Sequence, residues 1–147
     1  MRTITVGVDG SAHAHYALEW AVGEAAAHHA TLNVVTVNPV AVSQWTQQPI
    51  SYPADERALA DARDAATDAL NKLIAERGGP QPASVSVMAV NGNVVSELLN
   101  ASRDSDLLVV GSRGGGGFSR LSLGSVSGQI VHHARCPVVV VPHGREE

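Results

Sequence analysis

The fold follows from the stretch Thr3-Ile4-Thr5-Val6-Gly7-Val8-Asp9-Gly10-Ser11, where the chain changes from one kind of secondary structure to another. Thr3–Val8 is short, apolar and rich in β-branched residues, which predicts a buried strand. Asp9 and Gly10 favour a tight turn, and Ser11 is a suitable helix N-cap. Apolar residues then recur with helical spacing, at Ala14, Ala17, Leu18, Ala21, Val22 and Ala25. The sequence therefore predicts a strand, a turn and a helix.

The same alternation continues along the chain. Four further segments have the apolar composition of strands, at residues 31–37, 84–90, 107–110 and Val138–Val141. Three further helices are predicted, over residues 54–77, after the N-cap Asn93, and over Ser125–His133. Because each parallel crossover needs a covering helix, five strands and four helices predict an α/β fold with a doubly wound parallel sheet and helices on both faces.

Several local features carry more specific expectations. Residues 38–53 contain three prolines and no helical period, so they are predicted to be irregular and are a candidate lid or flap. Asn91-Gly92 is predicted to be a turn. The valines of Val138–Val141 predict a strand buried on both faces. Trp20, on the first helix, is expected to pack in the protein core.

Composition restricts the class of protein. The 147 residues are 44% hydrophobic, which suits one domain, and we expect a single domain over residues 1–147. A formal net charge of -4 argues against nucleic acid or an anionic membrane as a partner. Since no export or membrane-spanning pattern is present and Cys136 is expected to be a buried thiol, we expect a cytoplasmic location.

The segment most informative about function is the glycine-rich segment, residues 111–127, between a strand and a helix. Glycine lets backbone N–H groups approach an anion, and a helix N-terminus adds unpaired donors, so this segment predicts a phosphate site. Ser125 and Ser127 can add hydroxyl donors, and Arg113 or Arg120 can add a positive charge. The P-loop signature is absent, because Lys72 is the chain's single lysine and lies elsewhere.

The spacing Gly111-x2-Gly114-x9-Gly124-Ser125 resembles the ATP-binding motif of the universal stress protein family. The resemblance covers essentially the whole chain, including Val6-Gly7-Val8-Asp9-Gly10-Ser11 and the Ala134-Arg135-Cys136-Pro137 approach to the last strand. It implies the strand order 3-2-1-4-5 of the adenine nucleotide alpha-hydrolase-like fold. It also implies membership of the branch that binds ATP, since the founding bacterial branch lacks this motif.

The resemblance also implies where the nucleotide binds. Asp9 would lie by the adenosine, the backbone of Val37 would meet the adenine edge, and the glycine-rich segment would line the phosphates. The implied binding residues are Val8, Asp9, Val37, Gly111, Arg113, Gly114, Gly124, Ser125, Val126 and Ser127. The implied cofactor is ATP, with Mg²⁺ accompanying it, and the family further implies a homodimer formed through Val138–Val141.

Alternatives accompany these expectations. The glycines could form a plain flexible loop, and Asp9 could hold the first turn as well as contact a ligand. Trp45 and Tyr52 could cover either a nucleotide or a dimer partner. The histidine pairs at 13/15, 28/29 and 132/133 are expected to be solvated and not to bind a metal, because their side chains diverge on a helix.

Three functions remain open from the sequence. The first is a regulatory module of the stress-response type that binds ATP, and the second is a slow Mg-dependent ATPase or autophosphorylating protein. The third is a dimeric scaffold that uses no nucleotide. No catalytic residue is assigned, because no Ser-His-Asp arrangement or nucleophile elbow is evident.

Overall fold

The computed structural model describes residues 1–50, 52–112 and 124–142. Within these residues five strands alternate with four helices. In chain order the elements are β1 (Thr3–Val8), α1 (Ala12–His28), β2 (Thr31–Pro39), α2 (Pro53–Arg77), β3 (Ser84–Gly92), α3 (Val94–Ala101), β4 (Leu107–Gly111), α4 (Ser125–His133) and β5 (Val138–Val141). Among the described residues, no helix is both long enough and apolar enough to span a bilayer.

The five strands form one parallel sheet in the order β3-β2-β1-β4-β5. β1 is central and pairs with two neighbours, so that Val6 lies opposite Val34 on one side and Val109 on the other. The predicted α/β class, strand number and strand order are confirmed. Because all the pairs are parallel, the carboxyl ends of the strands meet at one edge of the sheet, where open α/β sheets bind ligands.

The core lies in two layers, one on each face of the sheet. Alternate residues of each strand point to opposite faces, so Val34 packs against α1 and α2 while Val35 and Val37 face α3 and α4. The first layer is built mainly from α1 alanines, Leu18, and Leu70 and Leu73 of α2. The prediction of helices on both faces is therefore confirmed.

Helix ends follow the expected capping chemistry. The Ser11 hydroxyl oxygen accepts a hydrogen bond from the Ala14 N–H at 3.2 Å, and Asn93 Oδ1 accepts one from the Ser96 N–H at 3.0 Å. Gly78 ends α2 with a φ of 63°, which favours glycine. α2 begins one residue earlier than predicted, where the Asp55 carboxylate accepts from the Tyr52 N–H at 2.9 Å. Both predicted N-caps are confirmed.

The predicted turn at Asn91-Gly92 is wrong. These two residues extend β3 and pair with Asn38 and Pro39 of β2. The Asn38 Nδ2 group donates to Asn91 Oδ1 at 2.9 Å, so the two side-chain amides link β2 and β3 near their carboxyl ends. Cross-strand side-chain pairing of this kind stabilises a sheet and here outweighs the local turn preference of Asn-Gly.

The expectation that residues 38–53 are irregular is only partly correct. The first two residues belong to β2, and Val42 forms an antiparallel bridge with Pro49. The turn between them places Gln47 at a φ of 59° and leaves Trp45 95% exposed at its tip. This segment is therefore a short hairpin-like loop, and Pro53 already belongs to α2.

Two burial predictions also differ from the structure. Trp20 is 37% exposed, because α1 turns its stripe of small apolar residues toward the sheet and Trp20 lies beside that stripe. Each valine of β5 is half-buried. Val138 and Val140 contact one core layer, and Val139 and Val141 contact the other, as expected for two covered faces. β5 is an edge strand, however, and its outer side lacks a covering neighbour among the described residues.

Asp106 anchors the amino terminus of β1 and makes stability depend on pH. Its carboxylate accepts hydrogen bonds from the Arg2 N–H at 2.7 Å and the Thr3 N–H at 3.0 Å, and these bonds lower the pKa of Asp106 below its ordinary value of 3.8. Because the pKa of Asp106 is lower in the folded state than in the unfolded state, its ionised carboxylate stabilises the fold above pH 3.8. This contribution to the free energy of unfolding is lost as the pH falls through the folded pKa.

We therefore expect Asp106→Asn to be less stable than the wild type at pH 6, with the difference shrinking below pH 3.8. Urea unfolding of both proteins at pH 6 and pH 3 measures this difference. An equal difference at the two pH values would contradict the assignment.

Candidate functional site

The structure brings most of the predicted binding residues to the carboxyl edge of the sheet. Val8 ends β1, Asp9 follows it, and Val37 lies near the end of β2. Gly111 ends β4, and Gly124 directly precedes α4, whose first residues are Ser125, Val126 and Ser127. Arg113, Gly114 and Arg120 lie outside the described residues. The remaining predicted residues thus occupy the ends of three adjacent strands and the start of one helix.

The two ends of the glycine-rich segment are joined by hydrogen bonds. The Gly124 N–H donates to the Ser112 carbonyl oxygen at 2.7 Å, so the chain returns to the end of β4 before α4 begins. The Ser127 hydroxyl is 2.9 Å from the same carbonyl oxygen and 3.2 Å from that of Gly124. Ser127 is only 2% exposed. Its proton is therefore used within the protein, and Ser127 acts here as a positioning residue for the start of α4.

The start of α4 offers backbone donors at this edge. The Gly128 N–H makes the first helical bond, to the Gly124 carbonyl at 2.9 Å. N–H groups in the first turn of an α-helix precede the regular i to i−4 pattern and carry a partial positive charge. Ser125 is exposed at this point, so its hydroxyl faces solvent. Such a helix start suits an anion.

Asp9 holds the first turn, a role that the sequence left open, while Ser11 caps α1. The Asp9 Oδ1 atom accepts a hydrogen bond from the Ser11 N–H at 2.9 Å, which closes the turn between β1 and α1. The carboxylate is nevertheless exposed, and Asp9 lines a pocket beside this turn. This turn bond holds the carboxylate at the pocket rim, and a carboxylate has further acceptor sites for a ligand.

This pocket has a volume of about 240 Å³ and lies between the end of β1, the end of β2 and the facing sides of α1 and α2. Its walls are mostly small and apolar, and its rim is polar. The lining residues on the strands and α1 are Val8, Asp9, Gly10, Ser11, Ala14, His15, Leu18 and Thr36, and those on α2 are Ala62, Ala65, Ala66 and Ala69. Apolar walls with a few polar groups are typical of small-molecule sites.

The pocket contains residues that the sequence analysis did not assign. The four α2 alanines occur at helical spacing, which by itself predicts only a face that packs against the sheet. Thr36 is the polar residue within the run of residues 34–37 in β2. His15 lies one helical turn after the N-cap Ser11. The small size of the alanines was an available signal, because larger side chains would have filled this space.

Among the described residues that line the pocket, Asp9 and His15 are the ionisable ones. His15 Nε2 lies 3.9 Å from a carboxylate oxygen of Glu19, at a position where both side chains are well exposed. Within the described part of the chain, no three histidine, cysteine or acidic side chains come together as a metal site.

Cys136 is half-buried among the apolar residues of the α3 and α4 layer, and burial raises the pKa of its thiol. A raised pKa favours the thiol over the nucleophilic thiolate.

The sequence model of the universal stress protein family matches residues 1–142. The chain belongs to this family. A universal stress protein of Mycolicibacterium smegmatis is 35% identical over 145 residues, which are 98% of this chain and 49% of that protein. The chain thus spans about half the length of the curated relatives it matches.

Solved structures of universal stress proteins share the fold. UspA from Lactobacillus plantarum has a TM-score of 0.75 at 24% identity, with 95% of this chain and 97% of that chain covered. The Archaeoglobus fulgidus protein in complex with dAMP has a TM-score of 0.66 at 17% identity, covering 96% and 98%. An Arabidopsis thaliana family protein with AMP bound has a TM-score of 0.62 at 18% identity, covering 100% and 95%.

Proposed function

We propose that this universal stress protein domain is a regulatory module that binds an adenine nucleotide at the carboxyl edge of its sheet. The observation that carries the proposal is the pocket between α1 and α2, which opens beside Asp9 at the same sheet edge as the start of α4. An apolar cavity and a helix start with backbone donors, both at the carboxyl edge of the sheet, match the two chemical halves of a nucleotide. Family proteins with dAMP and AMP bound support adenine as the base.

The nucleoside half is assigned to the pocket. Alanine walls suit the faces of a planar base, and the Asp9 carboxylate at the rim is an acceptor for ribose hydroxyls. His15 stands at the same rim and can contact the sugar or the first phosphate. We propose Val37 as a backbone contact to the base, because its side chain faces the α3 and α4 layer and only its main chain remains for a ligand.

The phosphate half is assigned to Gly111 and to Gly124, Ser125 and Val126 at the start of α4. The backbone N–H groups of Ser125 and Val126 and the hydroxyl of exposed Ser125 are donors, which is what phosphate oxygens require. Gly124, whose N–H donates to the Ser112 carbonyl, holds this helix start beside the end of β4. ATP with Mg²⁺ is the proposed physiological ligand. Magnesium commonly binds through phosphate oxygens with one or two carboxylates, so we propose that it arrives with the nucleotide.

A regulatory role is favoured over catalysis by the chemistry of the described residues. Among the described residues that line the pocket, the one carboxylate, Asp9, holds the turn between β1 and α1, and the imidazole of His15 lies 3.9 Å from a carboxylate oxygen of Glu19. A binding protein regulates by having different affinities for a ligand in two states. We propose the outer edge of β5 as the homodimer contact through which occupancy is communicated, because its valines are half-buried in the isolated chain.

The pocket is tested by Ala65→Leu. Ala65 is exposed and lines the cavity, so a leucine there fills the space for the base at little cost to folding. With Mg-ATP at 100 times its dissociation constant, the free energy of unfolding of the wild type should rise by about 2.7 kcal/mol. Ala65→Leu should lose most of this gain. Thermal unfolding with and without Mg-ATP, and with AMP in parallel, measures it.

Ala60→Leu is the matched control. Ala60 is an exposed alanine of the same helix that does not line the pocket, so this variant should keep the nucleotide-dependent stabilisation. A wild-type protein whose melting is unaffected by ATP and AMP would overturn the proposal and favour a nucleotide-independent scaffold. Phosphate release in the ATP sample would instead favour the slow ATPase.

A further inference from the structure

Thr36 is a buried polar residue that lines the pocket. The residue is 5% exposed and stands on the α1 and α2 face of β2. Its neighbours Val34, Val35 and Val37 are all buried valines, whose shape is close to that of threonine. Among the residues that the structure describes, none forms a side-chain hydrogen bond with the Thr36 hydroxyl. Because Thr36 lines the pocket, its hydroxyl, which has no partner within the described part of the chain, can pair with a group bound there.

A second buried threonine shows that this arrangement is unusual in the molecule. Thr5 of β1 is fully buried, and its hydroxyl is paired with the Ser105 hydroxyl at 2.6 Å. A buried hydroxyl costs free energy unless a protein group, water or a ligand bonds it, whereas valine would fill the same volume without that cost. Within the described residues the Thr36 hydroxyl has no such protein group, so water or a ligand in the cavity is left as its partner.

We infer that Thr36 is a specificity-determining contact that hydrogen-bonds the base of the bound nucleotide. The inference rests on the proposed function. Most of the other lining side chains are apolar, among them Leu18, Ala66 and Ala69, and they offer no polar contact and no charge for a phosphate. A planar base fits such walls, and its ring nitrogens and amino group can pair with a hydroxyl, which both donates and accepts.

The pairing gives the pocket a preference among flat ligands. A base that presents a nitrogen or amino group to Thr36 keeps the hydroxyl satisfied. A purely apolar ring of the same size would leave the hydroxyl buried and unpaired, so it would bind less tightly. Thr36 thus supplies a polar contact in the pocket, while the alanines leave room for a flat ring.

The experiment compares Thr36→Val with Thr36→Ser, using adenosine and AMP as ligands in isothermal titration calorimetry. Thr36→Val should fold, melt at or above the wild-type temperature without ligand, and bind adenosine and AMP about tenfold less tightly, by the same factor for both. Thr36→Ser keeps the hydroxyl and should bind within about threefold of the wild type. Equal losses for the two ligands assign the contact to the nucleoside.

Thr5→Val is the matched control, because it removes the hydroxyl of a buried strand threonine outside the pocket. It should melt below the wild type and bind both ligands normally. Wild-type affinity in Thr36→Val, a loss confined to AMP, or a lower melting temperature without ligand would each overturn the role of Thr36 and leave the proposed function standing. A wild-type protein that binds neither adenosine nor AMP would overturn the proposed function itself.

Discussion

Replacing Ile130 with alanine is expected to lower the free energy of unfolding by about 2–5 kcal/mol. Ile130 is fully buried and, with Ser127, is one of the two buried residues of α4. Its side chain packs among Val35, Leu108 and Val110 on the α3 and α4 face of the sheet. Alanine would leave a cavity there, because a short helix held by one large side chain has few other contacts with which to close it.

Urea unfolding monitored by circular dichroism measures this loss, and Val131→Ala is the control. Val131 is the next residue of the same helix and is 49% exposed, so its truncation should change stability by less than about 0.5 kcal/mol. Comparable losses in the two variants would contradict the packing of α4 described above. Because α4 carries Ser125 and Ser127, Ile130→Ala should also weaken nucleotide binding if the helix start holds the phosphates.

Gly7→Val is expected to cost about 1–3 kcal/mol or more, because β1 and α3 approach each other too closely for a side chain at this position. A Cβ atom on Gly7 would lie 2.9 Å from both methyl carbons of Leu98. Leu98 is 4% exposed and belongs to the apolar layer under α3, so it has little free space into which to move. The measurement is again the free energy of unfolding in urea.

A double-mutant cycle isolates the contact between these two residues. Gly7→Ala and Leu98→Ala should each destabilise the protein, the first by crowding and the second by leaving a cavity. In the double variant the smaller side chain at position 98 makes room for the new methyl group. The combined loss should therefore be smaller than the sum of the single losses. Strict additivity would show that Leu98 is not what excludes a side chain at Gly7.

The two parts of the candidate site lie on opposite faces of the sheet, so each part can be changed by mutation without altering the other. The pocket lies on the α1 and α2 side, with Thr36 and Ala65 among its lining residues. The start of α4 is held on the other side by Ile130 and Ser127. Changes on the first side should affect adenosine and AMP alike, and changes on the second side should affect phosphate-bearing ligands more.

Much of the fold was predictable because its signals are local. The strand Thr3–Val8 and the caps Ser11 and Asn93 were assigned correctly, since β-branched composition and capping act within a few residues. Asn91-Gly92 was misassigned because its pairing partner lies 53 residues earlier, at Asn38. Trp20 was misassigned because only the orientation of α1 against the sheet decides which side of the helix is buried.

The sequence by itself determined the alternation of strands and helices, the parallel sheet, and the sheet edge to which Asp9 and Gly124 belong, since periodicity and the crossover rule depend only on residue order. Only the tertiary structure decided that α2 faces α1 across a pocket, with four alanines beside Thr36 and Asp9. The volume between two helices depends on how side chains far apart in the chain pack together. A local sequence pattern gives no information on that packing.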